Sequence, residues 1–209
     1  MSGPVTIIDN NPELIDPLLR LYDETKKQSD TKYTHTITGD DSNVVRVNHG
    51  LPERDIADVR IFKIHEHHYN DVFKYIPSEI LSLGEPKTLS FFTSKSGSEI
   101  STHIDRLRRT ALNIYLSDIN SKTIFYNDLK PTITRSVVKY EGREKPSTIK
   151  WFPNENDLVV NHVYEPVQGD IAILNVRKPH SVNEIKSNKT RVVLTIDLPR
   201  SYDNYINII

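Results

Sequence analysis

Apolar residues recur at helical spacing in the first part of the chain and at strand spacing in the second part. The spacing predicts a helix over 12–27 and a second helical segment over 69–83 that a proline interrupts. Residues 44–47 fit a short strand, and residues 59–64 fit either a strand or a short helix. We therefore expect residues 1–87 to be mainly helical.

From Thr88 onward, short apolar runs alternate with polar turns. The predicted strands are 89–92, 100–104, 111–116, 123–126, 131–140, 148–152, 158–164, 171–176 and 191–198. Frequent short strands separated by short turns are typical of a β-sandwich or a β-barrel. We predict a single α+β domain over 1–209 that is mainly β. A barrel over 88–198 carries helices from the N-terminal part and is followed by a tail over 199–209.

The composition excludes several classes of function. A chain of 209 residues is long enough for one domain with a real core. Its 27 basic and 28 acidic side chains nearly cancel, so no overall charge draws it to nucleic acid. The absence of cysteine excludes disulfides, thiolate metal sites and cysteine nucleophiles. No apolar run approaches the length of a membrane span, and the N-terminus lacks a signal-peptide pattern. We expect a cytoplasmic protein that binds neither nucleic acid nor membrane.

Three residues with metal-binding side chains lie on a predicted strand or shortly after one. His103 and Asp105 are two positions apart, so an extended backbone points both to the same side. His180 follows a second apolar run, 170–176. Two imidazoles and one carboxylate on one face of an ion leave its other positions open, as in the non-haem Fe(II) oxygenases. Most His-x-Asp pairs are solvated surface residues, so this hypothesis depends on what surrounds the pair.

Arg191 is the surrounding residue that strengthens the hypothesis. It begins the predicted strand 191–198, eleven positions after His180. A buried arginine cannot lose its charge by deprotonation and therefore needs an anionic partner. A dicarboxylate can supply that partner through a two-point ion pair. The alternative is that Arg191 pairs with a nearby Asp or Glu of the chain itself.

Two segments in this order resemble a known enzyme family. Residues 169–183, continued by 191–197, are similar to the C-terminal half of the Fe(II)/2-oxoglutarate-dependent oxygenases. In the aspartyl/asparaginyl β-hydroxylase and free-proline hydroxylase branch the pattern H-S-V-x-N followed by R-x-x-L-x-I-D recurs. This chain has the similar H-S-V-N at 180–183 and R-x-x-L-x-I-D at 191–197. Residues 103–116 resemble the matching first half and are also similar to the prolyl hydroxylases. The resemblance covers roughly residues 88–198.

The resemblance implies a double-stranded β-helix, the jelly-roll barrel of the cupins. It implies that His103, Asp105 and His180 bind Fe(II) and form the catalytic centre. Fe(II) would be the cofactor, 2-oxoglutarate and O2 the co-substrates, and ascorbate an accessory reductant. The β-hydroxylase branch can lack the carboxylate ligand, whereas Asp105 is present here. The chain therefore combines features of two branches.

The resemblance also implies which residues bind the co-substrate. Arg191 would bind the distal carboxylate of 2-oxoglutarate. Asn113 and Tyr115 share the parity of Ala111, so all three point to one side of their strand. If that side is inward, both reach the co-substrate, although a barrel-core aromatic explains Tyr115 equally well. Arg109 directly precedes the strand and is the best candidate of a cluster of three arginines for attracting an anion, with a solvated loop as the alternative.

The function that the resemblance implies is hydroxylation of an amino-acid, peptide or protein side chain, with release of succinate and CO2. The alternative is a non-catalytic cupin-like module that binds a small anion or a protein partner. A zinc hydrolase is a third reading, because two histidines and one carboxylate also suit catalytic zinc. Against it, the sequence offers no further Glu placed as a general base, and Arg191 would have no purpose.

Two other features stand outside this constellation. Trp151, the only tryptophan, lies in the segment 130–165, which either folds over the mouth as a substrate lid or packs in the core. Residues 65–68 contain three histidines ahead of the barrel pattern, and we expect these side chains to be solvated.

Overall fold

The computed structural model describes most of the chain. The described residues are 3–28, 34–37, 59–95, 97, 100–105, 108–118, 121–127, 132–140, 143–151, 157–183 and 189–209. For 34–37, 59, 101, 132–140 and 143–151 the backbone alone is described. The predicted strand over 44–47 and Arg106 lie outside these ranges.

Two antiparallel sheets make up the body of the protein. The strands of the larger sheet are β1 (Val5–Asn10), β2 (Thr34–Ile37), β3 (Val59–Lys63), β4 (Leu89–Ser94), β6 (Thr110–Tyr115), β11 (Asp170–Leu174) and β13 (Arg191–Leu198). Those of the smaller sheet are β5 (Ile100–His103), β7 (Thr123–Tyr126), β8 (Thr132–Tyr140), β9 (Arg143–Trp151), β10 (Val160–Tyr164) and β12 (His180–Val182). The spatial orders are β1-β11-β6-β13-β4-β3-β2 and β10-β7-β12-β5-β9-β8. The predicted fold class, a mainly β barrel of two antiparallel sheets with N-terminal helices, is confirmed.

The larger sheet is buried on both faces, and the period of two decides which side chain faces where. On β6, Leu112 and Ile114 point outward into a large apolar cluster with the helices. Ala111 and Tyr115 point inward to a smaller cluster that includes Phe125 of the smaller sheet. The parity predicted for this strand is therefore correct, and its odd-numbered side is the interior of the barrel.

The helices cover the outer face of the larger sheet. They are α1 (Ile15–Gln28), α2 (Tyr69–Phe73), α3 (Ser78–Ser82) and α4 (Tyr202–Ile206). A 3₁₀ turn precedes α1, and its first turn is capped by Asn11, whose Oδ1 accepts the Glu13 N–H at 3.0 Å. Leu14, Leu18 and Leu21 follow at helical spacing and are buried against the sheet. In the described part of the chain, none of the helices has the length and apolar character needed to cross a membrane.

Residues 1–87 contain the predicted helices and, in addition, three strands that join the larger sheet. β1 pairs with β11 at one edge of the larger sheet, and β2 and β3 extend its other edge beyond β4. These strands are short, and tertiary pairing with the barrel decides their conformation more than local sequence spacing does. Residues 59–64, which fitted either state, contribute the strand β3.

The last residues are an anchored helix. Tyr202 and Tyr205 of α4 are buried in the outer cluster. The Tyr202 hydroxyl donates to the Gly3 carbonyl at 2.8 Å and lies 2.8 Å from the Thr6 hydroxyl. The predicted C-terminal tail therefore ties the end of the chain to β1.

Candidate metal centre

Strand pairing brings the two histidines together. His103 ends β5 and His180 begins β12, and the antiparallel register makes them direct partners. Their ring centroids are 4.3 Å apart. His103 is also the register partner of Trp151 at the end of β9, so the long β8–β9 hairpin joins the smaller sheet beside the site.

Asp105 completes the group from the segment that follows β5. Its N–H donates to the Val176 carbonyl at 3.1 Å, which fixes the backbone beyond the strand. Asp105 Oδ1 lies 3.4 Å from His103 Nε2. One ligand atom from each of His103, Asp105 and His180 lies within 4.8 Å of the others. These distances let the three side chains bind one ion with little rearrangement, and the donor set suits Fe(II).

His180 is held in a metal-binding tautomer. Its Nδ1 lies 2.9 Å from the Lys178 carbonyl, which can only accept, so Nδ1 carries the hydrogen. The lone pair of Nε2 is then available to a metal. A hydrogen bond from the other ring nitrogen is the usual device that orients a metal-binding histidine. The Phe125 ring stacks on the imidazole with centroids 5.6 Å apart and fixes its plane.

The electrostatics keep two of the three groups in the form that binds a cation. Burial, followed by the neighbouring His103, lowers the pKa of His180 to about 3, so the imidazole is neutral at physiological pH. For Asp105, burial by itself raises the pKa. The Arg108 guanidinium and the hydrogen bond from His103 outweigh burial and hold the pKa of Asp105 below its ordinary value.

Arg191 is a buried cation in the barrel interior. It is 5% exposed, and it shares the parity of Val193, which packs in the inner cluster. Its guanidinium carbon lies 5.7 Å from the centre of the Tyr115 ring. Among the described residues, the Nε–H of Arg191 donates to no partner and no carboxylate lies within ion-pair distance of the guanidinium. Burial lowers the pKa of Arg191, yet a guanidinium remains charged at physiological pH. An intramolecular Asp or Glu partner is therefore not found in this part of the chain.

Solved structures share this fold. A prolyl-4-hydroxylase from Pseudomonas putida superposes with a TM-score of 0.52 and 15% identity, over 95% of this chain and 94% of its own. A prolyl hydroxylase from Trichoplax adhaerens, in complex with a hypoxia inducible factor oxygen degradation domain peptide fragment, superposes with a TM-score of 0.54 and 14% identity. The match covers 93% of this chain and 83% of the hydroxylase. The non-haem α-ketoglutarate-dependent carbocyclase SnoK from nogalamycin biosynthesis superposes with a TM-score of 0.57 and 10% identity. The match covers 99% of this chain and 86% of the carbocyclase. The fold is that of the Fe(II)/2-oxoglutarate oxygenases.

The likeness is confined to structure. No family model matches the sequence, and no curated protein matches it. At such low identity the likeness to the 2-oxoglutarate oxygenases establishes the double-stranded β-helix, and the predicted resemblance is confirmed at that level. What the site does must be argued from its own side chains.

Asn113 and Tyr115 lie on the inner face of the oxygenase fold, next to Arg191. Asn113 Nδ2 lies 3.4 Å from the Tyr115 hydroxyl and donates to it. Tyr115 is fully buried, and burial raises its pKa, so its hydroxyl keeps the proton and can donate it. The carbonyl oxygen Oδ1 of Asn113 is buried and has no hydrogen-bond partner among the described residues.

Of the two described arginines in the cluster, Arg108 rather than Arg109 contacts a candidate metal ligand. Arg109 is exposed. Arg108 Nη2 lies 2.6 Å from Asp105 Oδ2, and its guanidinium carbon lies 5.2 Å from the centre of the Phe92 ring. The sequence interpretation missed this role, although the spacing of three positions from Asp105 was visible.

Sequence reasoning also missed a polar network at the far end of the inner face. The Tyr164 hydroxyl donates to Asp170 Oδ2 at 2.9 Å, and the Val167 N–H donates to the same oxygen at 2.8 Å. Asn10 Nδ2 donates to Asp170 Oδ1 at 2.8 Å. The Tyr164 ring meets Tyr115 edge-on, with centroids 5.7 Å apart. This network fixes the wall against which Tyr115 packs.

The histidines of 65–68 lie apart from the metal centre. His65 and His67 stack on one another, and His68 is 3.2 Å from the Asp71 carboxylate. Within the described ranges, His103, Asp105 and His180 are the only group of three or more potential ligands close enough to hold one metal ion. The metal hypothesis therefore stays with the barrel.

Proposed function

We propose that this protein is an Fe(II)- and 2-oxoglutarate-dependent dioxygenase that hydroxylates an amino-acid, peptide or protein side chain. The observation that carries the proposal is a group of three potential metal ligands in a barrel whose interior also holds a buried arginine, for which the described residues supply no carboxylate partner. Neither feature alone specifies the reaction. Together they call for a cation and for a small anion, and 2-oxoglutarate is an anion that also chelates iron.

His103, Asp105 and His180 would hold the Fe(II). Bound iron supplies the oxidative chemistry, in which substrate C–H, O2 and 2-oxoglutarate give substrate C–OH, succinate and CO2. The donors match this use, because two neutral imidazoles and one carboxylate leave the ion with a net positive charge. That charge favours the binding of a dianionic co-substrate in the open positions.

Arg191 and Tyr115 would hold the far carboxylate of 2-oxoglutarate. The guanidinium offers a planar set of donors in a buried setting, where an ion pair is weakly screened. The Tyr115 hydroxyl accepts from Asn113 and keeps its own proton for donation to the anion. Asn113 Oδ1 remains as a buried acceptor for a substrate or co-substrate donor. Arg109 would contribute at longer range, through the local field at the mouth of the barrel.

The substrate class is an extension from the neighbours. Two similar folds are prolyl hydroxylases, and one of them is in complex with a peptide fragment. A peptide or amino-acid substrate would reach the metal at the rim beside the β8–β9 hairpin. In the same proposal, residues 130–165 would act as a lid over the mouth, which is one of the two roles that the sequence left open. A cytoplasmic location remains part of the same proposal.

Succinate production is the direct test. Anaerobically purified protein is loaded with Fe(II) and given 2-oxoglutarate, O2 and ascorbate, and succinate is measured for the wild type and for His180→Ala. We expect slow turnover by the wild type without its substrate. We expect the rate of succinate formation to fall at least roughly 10²-fold in the variant, since the loss of a group that only orients a metal ligand can already cost that much. Wild-type protein that binds neither Fe(II) nor 2-oxoglutarate contradicts the proposal. Binding of the anion without metal or turnover would instead indicate the cupin-like module.

A further inference from the structure

The two oxygens of the Asp105 carboxylate have different neighbours. Oδ1 faces the imidazole of His103 at 3.4 Å, whereas Oδ2 faces the Arg108 guanidinium at 2.6 Å. The backbone of Asp105 is fixed separately, through its N–H bond to the Val176 carbonyl. Only rotation of the side chain remains free, and the contact with Arg108 opposes that rotation.

Arg108 is itself held in place. Its guanidinium lies over the ring of Phe92, which points inward from β4, with 5.2 Å between the guanidinium carbon and the ring centre. The side chains of Arg108 and Asp105 are only 25% and 12% exposed, so the ion pair is shielded from bulk water. A planar guanidinium on an aromatic face is more restricted in orientation than a lysine ammonium would be.

From this geometry we infer that Arg108 is a positioning residue, which keeps Asp105 a ligand through one oxygen only. The inference rests on the proposed metal site. Oδ1 lies on the side of the two imidazoles and is the oxygen available to the ion, while Oδ2 forms an ion pair with Arg108, in which the N–H is not aligned as a hydrogen bond. If both oxygens bound the metal, Asp105 would take one of the open positions that the co-substrates need. Arg108 therefore preserves the open half of the coordination sphere, and Phe92 supports Arg108.

The test measures metal binding without turnover. Co(II), which is not oxidised under these conditions, is titrated by calorimetry into the wild type and into Arg108→Ala, and the visible absorption of the bound Co(II) is recorded. We expect Arg108→Ala to bind Co(II) roughly 10- to 100-fold more weakly, because loss of an outer group that orients a ligand has this effect. The Co(II) spectrum should also change, because the coordination by Asp105 changes.

Two arginine variants separate position from charge. Arg20→Ala removes the same charge from an exposed position on the helix α1, and its Co(II) affinity should stay within about twofold of the wild type, since exposed charges interact weakly. Arg108→Lys keeps the charge but not the planar fork, and its affinity should lie between those of the wild type and Arg108→Ala.

Phe92→Leu gives an independent check, because it removes the platform without changing any charge. It should weaken Co(II) binding by about two- to fivefold, the equivalent of one exposed cation–π contact. Thermal unfolding of each metal-free variant tests that it is folded.

The outcomes are distinct. Arg108→Ala that binds Co(II) as tightly as the wild type, with an unchanged spectrum, overturns the positioning role. Tighter binding overturns it as well, because Arg108 then only neutralises the carboxylate. Wild-type protein that does not bind Co(II) overturns the proposed metal site, and this inference falls with it.

Discussion

The two faces of the larger sheet share the same strands but have opposite chemistry. On β6, the outward residues Leu112 and Ile114 are fully buried among apolar side chains of the helices. The inward residues Asn113 and Tyr115 border a buried arginine and include an acceptor without a partner. A shift of register by one residue would exchange these two environments.

The difference separates stability from ligand binding. The outer face gains its free energy from apolar burial, and it requires nothing further. On the inner face, Asn113 Oδ1 and Arg191 Nε are buried and have no hydrogen bonds to other described residues, which costs free energy. A ligand that satisfies these groups recovers that cost, so the inner face is built for binding. Substitutions on the two faces should therefore have opposite effects.

The largest effect is expected on the outer face. Ile114→Ala should lower the free energy of unfolding by about 3 kcal/mol, because it leaves a cavity in a fully buried cluster. For a chain of this length the midpoint of thermal unfolding should fall by roughly 6–12 °C. Urea unfolding and Co(II) titration of the same protein check whether a change on the outer face lowers stability without lowering metal affinity. A large loss of metal affinity in folded Ile114→Ala would contradict it.

Arg191→Met should have the opposite pattern. It removes hydrogen bonds to a charged group, worth about 1.5–3 kcal/mol, so the affinity for 2-oxoglutarate should fall roughly 10- to 150-fold. The free energy of unfolding of the ligand-free variant should rise by about 1–3 kcal/mol, and its urea midpoint should rise with it. The reason is that an apolar side chain replaces a desolvated charge for which the described residues supply no carboxylate partner. Calorimetry and urea unfolding measure the two quantities. A variant less stable than the wild type would mean that Arg191 has an internal partner.

The pH dependence of the metal-free protein is the smallest of the three effects. His180 has a pKa of about 3 when folded, against an ordinary value of 6.5, so the unfolded chain binds the extra proton in between. Its contribution to stability is therefore complete above pH 6.5 and declines as the pH falls toward 3. Between pH 6.5 and 5 the loss should be about 2 kcal/mol. The lowered pKa of Asp105 has the same sign and adds a loss at still lower pH.

His180→Gln provides the comparison, since glutamine does not titrate. Urea unfolding at pH 5, 6.5 and 8, with a chelator present, should give a shallower dependence for His180→Gln than for the wild type. Equal slopes for the two proteins would show that another group accounts for the acid sensitivity.

Sequence periodicity predicted much of the barrel and the side to which its key residues point. The parity of Ala111 placed Asn113 and Tyr115 on one side of β6. The same alternation predicted that His103 and Asp105 point to one side, and their side chains do meet, although Asp105 lies just beyond the end of β5. These predictions succeeded because strand alternation is a local property of the backbone. The meeting of His103 with His180 needed the resemblance as well, because pairing across 77 positions is not written in either segment.

What the sequence did not reveal depends on contacts between distant segments. β1 is a strand because β11 offers it an edge, and nothing within Val5–Asn10 distinguishes it strongly from a loop. Arg108 reaches Asp105 because of the path that the chain takes between β5 and β6, and Phe92 supports it from another strand. Sequence spacing favoured Arg109, which is exposed, because spacing carries no information about the path of the chain between β5 and β6.

Arg191, whose guanidinium has no carboxylate partner among the described residues, makes the stability of the protein depend on the concentration of its proposed ligand. Under the proposed function, 2-oxoglutarate at a hundred times its dissociation constant would add about 2.7 kcal/mol to the stability of the fold. A difference of that size changes the unfolded fraction about a hundredfold and with it the exposure of the chain to proteases. A cell poor in 2-oxoglutarate would then contain less of this protein, and each molecule would also turn over more slowly.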